Sequence, residues 1–278
     1  MITIKRSFLI YGACIVMMQA HCSFSADLRV KKPMYAPFNC DSKIKDAFVG
    51  VFRNTIDLHR ELFNWDSFKI GVGLFPGIVF GRMIDERLQN CFINRSCHKN
   101  INQMGKFSQQ FAKCGIVFPI FAAGCLSIGA RNPDVRETSR IFLNGLPFVY
   151  WFAHLIKGCK VGKIDLRPWR EEFSCTNRAH GGFPSGHLSW YAYAAALYGK
   201  RFGWRAAVPL GGLAVFTAAS FVNCNRHYAS QLIAGAGIGI LYAFAADKVI
   251  DKKLYDNFDF SCSYDPYRGA AVKVSYTF

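Results

Sequence analysis

Acidic residues are scarce in this chain: 18 Asp and Glu against 34 Lys and Arg leave a formal net charge of +16 over 278 residues. Charge of either sign is thin, at 19% of the residues, while 51% are hydrophobic, which excludes a disordered acidic tail or a low-complexity chain. The basic residues also lack clustering. They do not run together in blocks interleaved with aromatics, so among the anionic partners a basic chain attracts, nucleic acid ranks behind phosphate esters and anionic lipid. No C-x-x-C pair occurs among the eleven cysteines, and eleven is too few for a disulfide scaffold at this length, so the fold must rest on packing. Gly235, Gly237 and Gly239 follow no strand pattern; they lie inside an apolar helical segment, where close helix packing is the expectation and a nucleotide loop is not.

Aromatic residues are plentiful, at 15% with 26 Phe, which points to a large apolar core or a membrane-facing surface. The N-terminus reads as an export signal over residues 1–26: Lys5 and Arg6, an apolar run at 8–18, then Ser23, Ser25 and Ala26. Gln19 and His21 are wrong for a lipobox before Cys22. Removal of Cys14 and Cys22 leaves nine cysteines, an odd number. Cys91 and Cys97 are the expected local pair, while Cys114, Cys125, Cys159 and Cys224, in apolar stretches, are expected to fill the core.

Residues 27–106 read as an N-terminal helical extension, with a helix expected at 42–63. Apolar segments recur at 70–80, 114–130, 141–156, 188–197, 206–222 and 232–246, separated by Gly, Pro, Asn and charges. These are too long for ordinary strands and short for membrane spans, which predicts a bundle of mostly buried helices, soluble or membrane-associated. A topology in which every segment crosses a bilayer is disfavoured, on the expectation that the catalytic loops would then fall on alternating sides. Residues 251–278 change to period two: Phe258, Phe260, Cys262 and Tyr264, then Val272, Val274, Tyr276 and Phe278, which predicts a β-hairpin tail.

The sharpest local feature is Pro184-Ser185-Gly186-His187, at the start of a helical segment. Ser185 suits an N-cap, Gly186 lets a ligand approach the backbone, and a helix N-terminus attracts anions. Upstream stands Lys160, then six residues, then Arg167-Pro168; downstream, His227-Tyr228 precedes the last apolar segment. A bidentate Arg, a point-charge Lys, amide donors and two imidazoles of different role are what a phosphoryl group requires.

In this order and spacing the three pieces resemble the type 2 phosphatidic acid phosphatase family, which includes bacterial acid phosphatases and vanadium haloperoxidases. The resemblance covers roughly residues 107–250. The first two motifs match in full. The third, Ser-Arg-x5-His-x3-Asp, matches at Ser220 and His227 but has Phe221 for the Arg and Gln231 for the Asp.

The resemblance implies an all-α helical bundle of the acid phosphatase/haloperoxidase type. It implies an exported, periplasmic or membrane-associated phosphatase of phosphate monoesters or diphosphates, most often lipids, needing no metal or cofactor. His227 would attack phosphorus and form a phosphohistidine, Gln231 would orient its ring, and His187 would protonate the leaving oxygen. Lys160, Arg167, Ser185 and the Gly186 backbone would hold the phosphoryl oxygens, with Arg226 replacing the missing guanidinium. Lys157 and Lys163 flank Lys160 and compete for its role; His154 and His180 are expected to be a packed and a loop histidine. Two other readings stand beside this one: a weakened phosphate- or lipid-binding member, motivated by Phe221 and Gln231, and a soluble non-specific acid phosphatase. Restoring the family residues, Gln231→Asp with Phe221→Arg, is expected to raise turnover if the pocket tolerates the longer side chain.

Overall fold

The computed structural model describes residues 40–96, 110–112, 114–160, 162–168, 179–256, 258–265 and 269–276. The export signal expected at 1–26, and Cys97 of the expected Cys91–Cys97 pair, lie outside them. The described chain is predominantly helical: α1 (Cys40–Leu62), α2 (Trp65–Ser96), α3 (Val117–Gly129), α4 (Pro133–Gly158), α5 (Gly186–Phe202), α6 (Trp204–Asn223) and α7 (Ala229–Asp256). A 3-10 turn, Gly162–Asp165, lies between α4 and α5. After α7 the backbone forms two antiparallel strands, β1 (Phe258–Asp265) and β2 (Gly269–Tyr276), with Phe258 opposite Tyr276 and Asp265 opposite Gly269.

The helix boundaries follow local chemistry. The Asn64 side chain accepts from the Ser67 amide at 2.9 Å and opens α2. Asn132 accepts from the Asp134 amide at 2.9 Å, with Pro133 in the first turn, and opens α4. Gly203, at φ +74, takes the left-handed turn that ends α5 and starts α6.

The core is built on α5 and α7, which pack along each other, with α4 and α6 on their flanks. Phe142, Leu146, Tyr193, Leu197, Tyr242 and Ala246 are buried at its centre, and the Phe142 and Tyr193 rings stack at 5.2 Å. Full burial of a side chain such as Phe142 stabilises the bundle by about 1.5–3 kcal/mol. The glycines of α7 make the α5–α7 approach close: a Cβ at Gly235 would lie 2.3 Å from the Ser185 carbonyl oxygen, and one at Gly239 2.2 Å from that of Ser189. The packing reading of this glycine series holds.

Helix α2 lies antiparallel along α7, from the Asp66–Lys248 ion pair at 2.5 Å to Asp85 against Ser230. The bundle therefore has two distinct ends. One gathers the start of α4, the end of α5 and the late turns of α7, where Arg201 meets Asp134, Asp247 and Asp251 at 3.3, 3.2 and 2.6 Å. The other gathers the end of α4, the start of α5, the turn after α6 and the start of α7.

Three expectations need correction. The apolar segments sit in longer helices than their apolar runs suggested. Among the described residues, four stretches are long and apolar enough to cross a membrane: Trp65–Cys91, Gln110–Gly129, Trp204–Asn223 and Ala229–Lys253. Their outer faces carry exposed Phe68, Phe75, Met83, Phe118, Phe121 and Trp204, the last 72% accessible. The topological objection fails as well. The chain leaves the 158–186 region along α5 and returns along α6, so both motif-bearing loops share one end. Nor do the cysteines fill the core: Cys114, Cys125 and Cys159 are exposed and Cys224 is half-buried, because the apolar helices that carry them present apolar faces outward as well as inward.

Candidate active site

The end of the bundle that holds the start of α5 brings the sequence motifs together. Ser185 is fully buried and caps α5 by accepting from the Leu188 amide, while its own N–H donates to the Gln231 carbonyl at 2.9 Å. This ties the first turns of α5 and α7. Gly186 is the first residue of α5 and His187 the second, half-buried, its ring 6.0 Å from that of Trp190. The peptide bond between Phe183 and Pro184 is cis.

Phe221 fills the space between the two motif histidines. It is 1% exposed, and its ring meets His187 at 5.4 Å and His227 at 5.7 Å, edge-on in both cases. Residues 187 and 227, forty positions apart in sequence, thus share one aromatic contact.

His227 is buried in the turn between α6 and α7. Its Nδ1 lies 2.9 Å from the Gly182 carbonyl oxygen and 3.4 Å from Gln231 Oε1. Both neighbours are acceptors, so Nδ1 carries the proton and donates it, and Nε2 is left with a lone pair. Burial, followed by the charges of Lys157, Arg167 and His187, holds the His227 imidazole well below its ordinary 6.5; the Gln231 hydrogen bond opposes this. The ring is neutral at neutral pH.

Gln231 is fully buried one turn after His227 and has a second task. Its Nε2 donates to the carbonyls of Ile164 at 2.9 Å and Leu166 at 2.8 Å, and its Oε1 accepts from the Tyr228 amide at 3.1 Å. These bonds fix which end of the amide faces His227. Gly182 lies directly over it: a Cβ there would come within 2.5 Å of Nε2 and 2.6 Å of Oε1.

The loop that supplies the Gly182 carbonyl is organised by a residue that no sequence motif names. Asp165 is 1% exposed, and its carboxylate accepts from the amides of Gly181 at 2.9 Å and Phe183 at 3.1 Å, with His180 Nδ1 at 3.2 Å. Its carbonyl accepts from the Gly182 amide at 2.8 Å. The available signal was an acid inside an otherwise basic motif segment, between Lys160 and Arg167. Arg167 joins the same loop, donating from Nη2 to the Gly181 carbonyl at 3.0 Å.

The lysines separate. Lys160 is exposed, at φ +44, just beyond the end of α4. Lys157, in the last turn of α4, is half-buried and its charge reaches His227. Burial, then the Arg167 charge, lowers its ammonium to about 8, against the pull of Asp165. Lys163, in the 3-10 turn, is exposed, and Arg226 is half-buried with its amide on the Phe221 carbonyl at 2.9 Å. His180 is on a loop as expected. His154 is not packed: it is exposed on α4, its ring against Tyr150 at 3.8 Å and beside Gly186.

One end of the bundle thus holds a neutral imidazole whose Nε2 keeps its lone pair, a second imidazole across a shared aromatic ring, and the charges of Lys157 and Arg167. Such a set can attack an electrophile, protonate a leaving group and neutralise an anion. Comparison with known proteins agrees with the motif pattern. No curated protein matches the chain. One solved structure, a transmembrane PAP2 type phosphatidylglycerolphosphate phosphatase from Bacillus subtilis, aligns over 66% of this chain and 96% of its own, at 19% identity and a TM-score of 0.47. The PAP2 superfamily model matches residues 141–255, which span Lys157, Arg167, His187, His227 and Gln231, so this part of the chain is similar to that superfamily.

Proposed function

We propose that the protein is a metal-independent phosphatase acting on phosphate monoesters or diphosphates of lipids, through a phosphohistidine on His227. The observation that carries this is the double commitment of Nδ1 to the Gly182 carbonyl and Gln231 Oε1, which leaves Nε2 as the reactive atom. In the first step the Nε2 lone pair attacks phosphorus, the bond to the ester oxygen breaks, and His187 gives that oxygen a proton. In the second, His187 takes a proton from water, the hydroxide attacks phosphorus, the P–N bond breaks, and inorganic phosphate leaves with both imidazoles restored.

Arg167 and Lys157 neutralise the phosphoryl oxygens, with Lys160 as the family-motif alternative and the Ser185-Gly186 backbone and Arg226 completing the cradle. A basic chain with four helices apolar enough to cross a membrane suits an anionic, amphiphilic substrate. Export, directed by residues 1–26, completes the reading.

The test is phosphate release by the full chain across phosphatidate, phosphatidylglycerophosphate, undecaprenyl diphosphate, lipid A and an aryl phosphate. His227→Ala is expected to abolish turnover and the acid-labile phosphoenzyme; turnover that survives His227→Ala overturns the mechanism. A second reading, a phosphate binder without catalysis, draws on Phe221, an apolar ring where the family motif has a guanidinium. Phosphate binding without release from any of the five substrates would select it.

A further inference from the structure

The segment that carries His227 is held from outside the region matched by the family model. Helix α2 sends two buried polar side chains to it. Asp85, 1% exposed, accepts from the Ser230 amide at 2.9 Å and from its hydroxyl at 2.5 Å. A carboxylate from a different helix therefore satisfies an amide that the first turn of α7 leaves open, three residues after His227. One turn further along α2, Gln89, 5% exposed, donates to the Val222 carbonyl at 3.0 Å and to the Asn225 side chain. Asn225 adopts φ +51, a left-handed conformation that a non-glycine residue keeps only when its surroundings hold it there. Arg82, also on α2, pairs with Asp85 at 3.2 Å and lies 5.8 Å over the Tyr228 ring. Three side chains at successive turns of one helix thus grip residues on both sides of His227.

We propose that Asp85 and Gln89 are positioning residues of the phosphatase site, a clamp from α2 that fixes the 222–230 turn and so sets where His227 Nε2 points. This rests on the phosphatase reading above. The clamp touches no substrate; it acts through the backbone of the nucleophile. Losing it lets the turn shift by a fraction of an ångström to an ångström. Displacement on that scale slows a reaction that depends on near-attack geometry by about 10²-fold, while the cations that bind the phosphate stay in place.

The test uses the full chain in detergent micelles, with Asp85→Leu, Gln89→Met and Ser230→Ala, and Asp85→Asn as the conservative variant. Asp85→Asn keeps an oxygen for the Ser230 amide and a polar group for its hydroxyl. On an aryl phosphate, Asp85→Leu and Gln89→Met are expected to lower kcat by about 10²-fold with KM within about threefold, and Ser230→Ala by less, because its amide bond remains. Asp85→Asn should restore kcat to within about threefold of wild type.

A second readout does not need turnover. The Cε1–H resonance of His227, labelled with 13C-histidine and assigned by its loss in His227→Gln, reports the ring's surroundings: Phe221 and the charges of Lys157, Arg167 and His187. It should titrate well below 6.5 in the wild type and move toward 6.5 in Asp85→Leu as the turn opens to water. If the wild type hydrolyses nothing, the phosphatase reading falls and this titration still decides the clamp. If Asp85→Leu fails to fold, Gln89→Met and Ser230→Ala carry the comparison. Variants that lose melting temperature but keep wild-type kcat and an unmoved His227 titration would overturn the proposal and leave α2 a purely structural strut.

Discussion

Replacing Gln231 by Asp restores the family's residue, and on sequence grounds it should help catalysis when combined with Phe221→Arg. The geometry reverses that expectation for residue 231. Its Nε2 is the only donor of the side chain, and it serves two carbonyls, Ile164 at 2.9 Å and Leu166 at 2.8 Å. A carboxylate is one methylene shorter and has no donor, so both acceptors lose their partner. An unsatisfied buried acceptor costs about 1–3 kcal/mol, and because these carbonyls are only partly shielded the lower end applies, about 2 kcal/mol for the pair. For a chain of this size that is a fall in melting temperature of about 4–8 °C. The functional loss follows from what the two carbonyls flank. Between them lies Asp165, which holds the Gly181 and Phe183 amides and hence the Gly182 carbonyl on His227. Gln231→Asp alone is therefore expected to lower both melting temperature and kcat, read by tryptophan fluorescence on heating and by phosphate release from an aryl phosphate. A Gln231→Asp protein that melts within about 1 °C of wild type and turns over faster would refute this account of the tether.

Four further outcomes follow from the same geometry. The imidazole of His227 must be neutral to attack, and its protonation is pushed well below 6.5, so the acid limb of kcat/KM for an aryl phosphate should lie below pH 6.5. Lys157→Met removes a cation that disfavours the imidazolium, so it should move that limb toward higher pH, and a limb that stays put would show that Lys157 does not act on the ring. Gly182→Ala places a methyl within 2.5–2.8 Å of the Gln231 amide and should lower kcat without weakening phosphate binding, measured as product inhibition. His187→Ala should spare an aryl ester more than an alkyl ester, since a good leaving group needs little protonation; equal losses on the two substrates would remove His187 from the acid role.

The parts of the site legible in the sequence were those whose chemistry is carried by a short motif. Ser185 as a cap, Gly186 at the helix start and His227 before a long apolar helix could all be placed from spacing, and the helix expected at 42–63 matches α1 within two residues. The gaps have a common physical cause. Asp165, Asp85 and Gln89 act through contacts with partners 16, 145 and 133 residues away, and no local pattern distinguishes a buried Asp that caps another helix from one in water. The Gly182 carbonyl was invisible for a related reason: every residue has one, and only the loop's path aims it at a histidine. The helices run past their apolar segments because an apolar run stops at the first charge while a helix does not. Lys248 and Asp66 carry charges within the ends of α7 and α2 and pair across the interface, and Lys252 of α7 pairs with Glu61 of α1.

The two ends of the bundle also bear on which phosphate esters can reach the site. Along α7, Gln231 stands at the reactive end and Asp251 in the ion-pair cluster with Arg201 at the other. Twenty residues of α-helix separate them, at a rise of about 1.5 Å each, or about 30 Å, which is the thickness of a bilayer's hydrocarbon core. Between those levels the outer faces of the bundle expose Phe68, Phe75, Phe118, Phe121, Val208 and Val215, and charges are sparse. A bundle immersed to that depth would hold its ion-pair cluster at one polar boundary and Nε2 of His227 at the other. On the phosphatase reading proposed above, a lipid's phosphate would meet that second level without leaving the membrane, while its chains would stay beside the apolar faces. A small soluble ester gains nothing from this placement. On that ground the amphiphilic members of the substrate panel should show the lower KM, and the aryl phosphate should be turned over with a KM set by its phosphate alone.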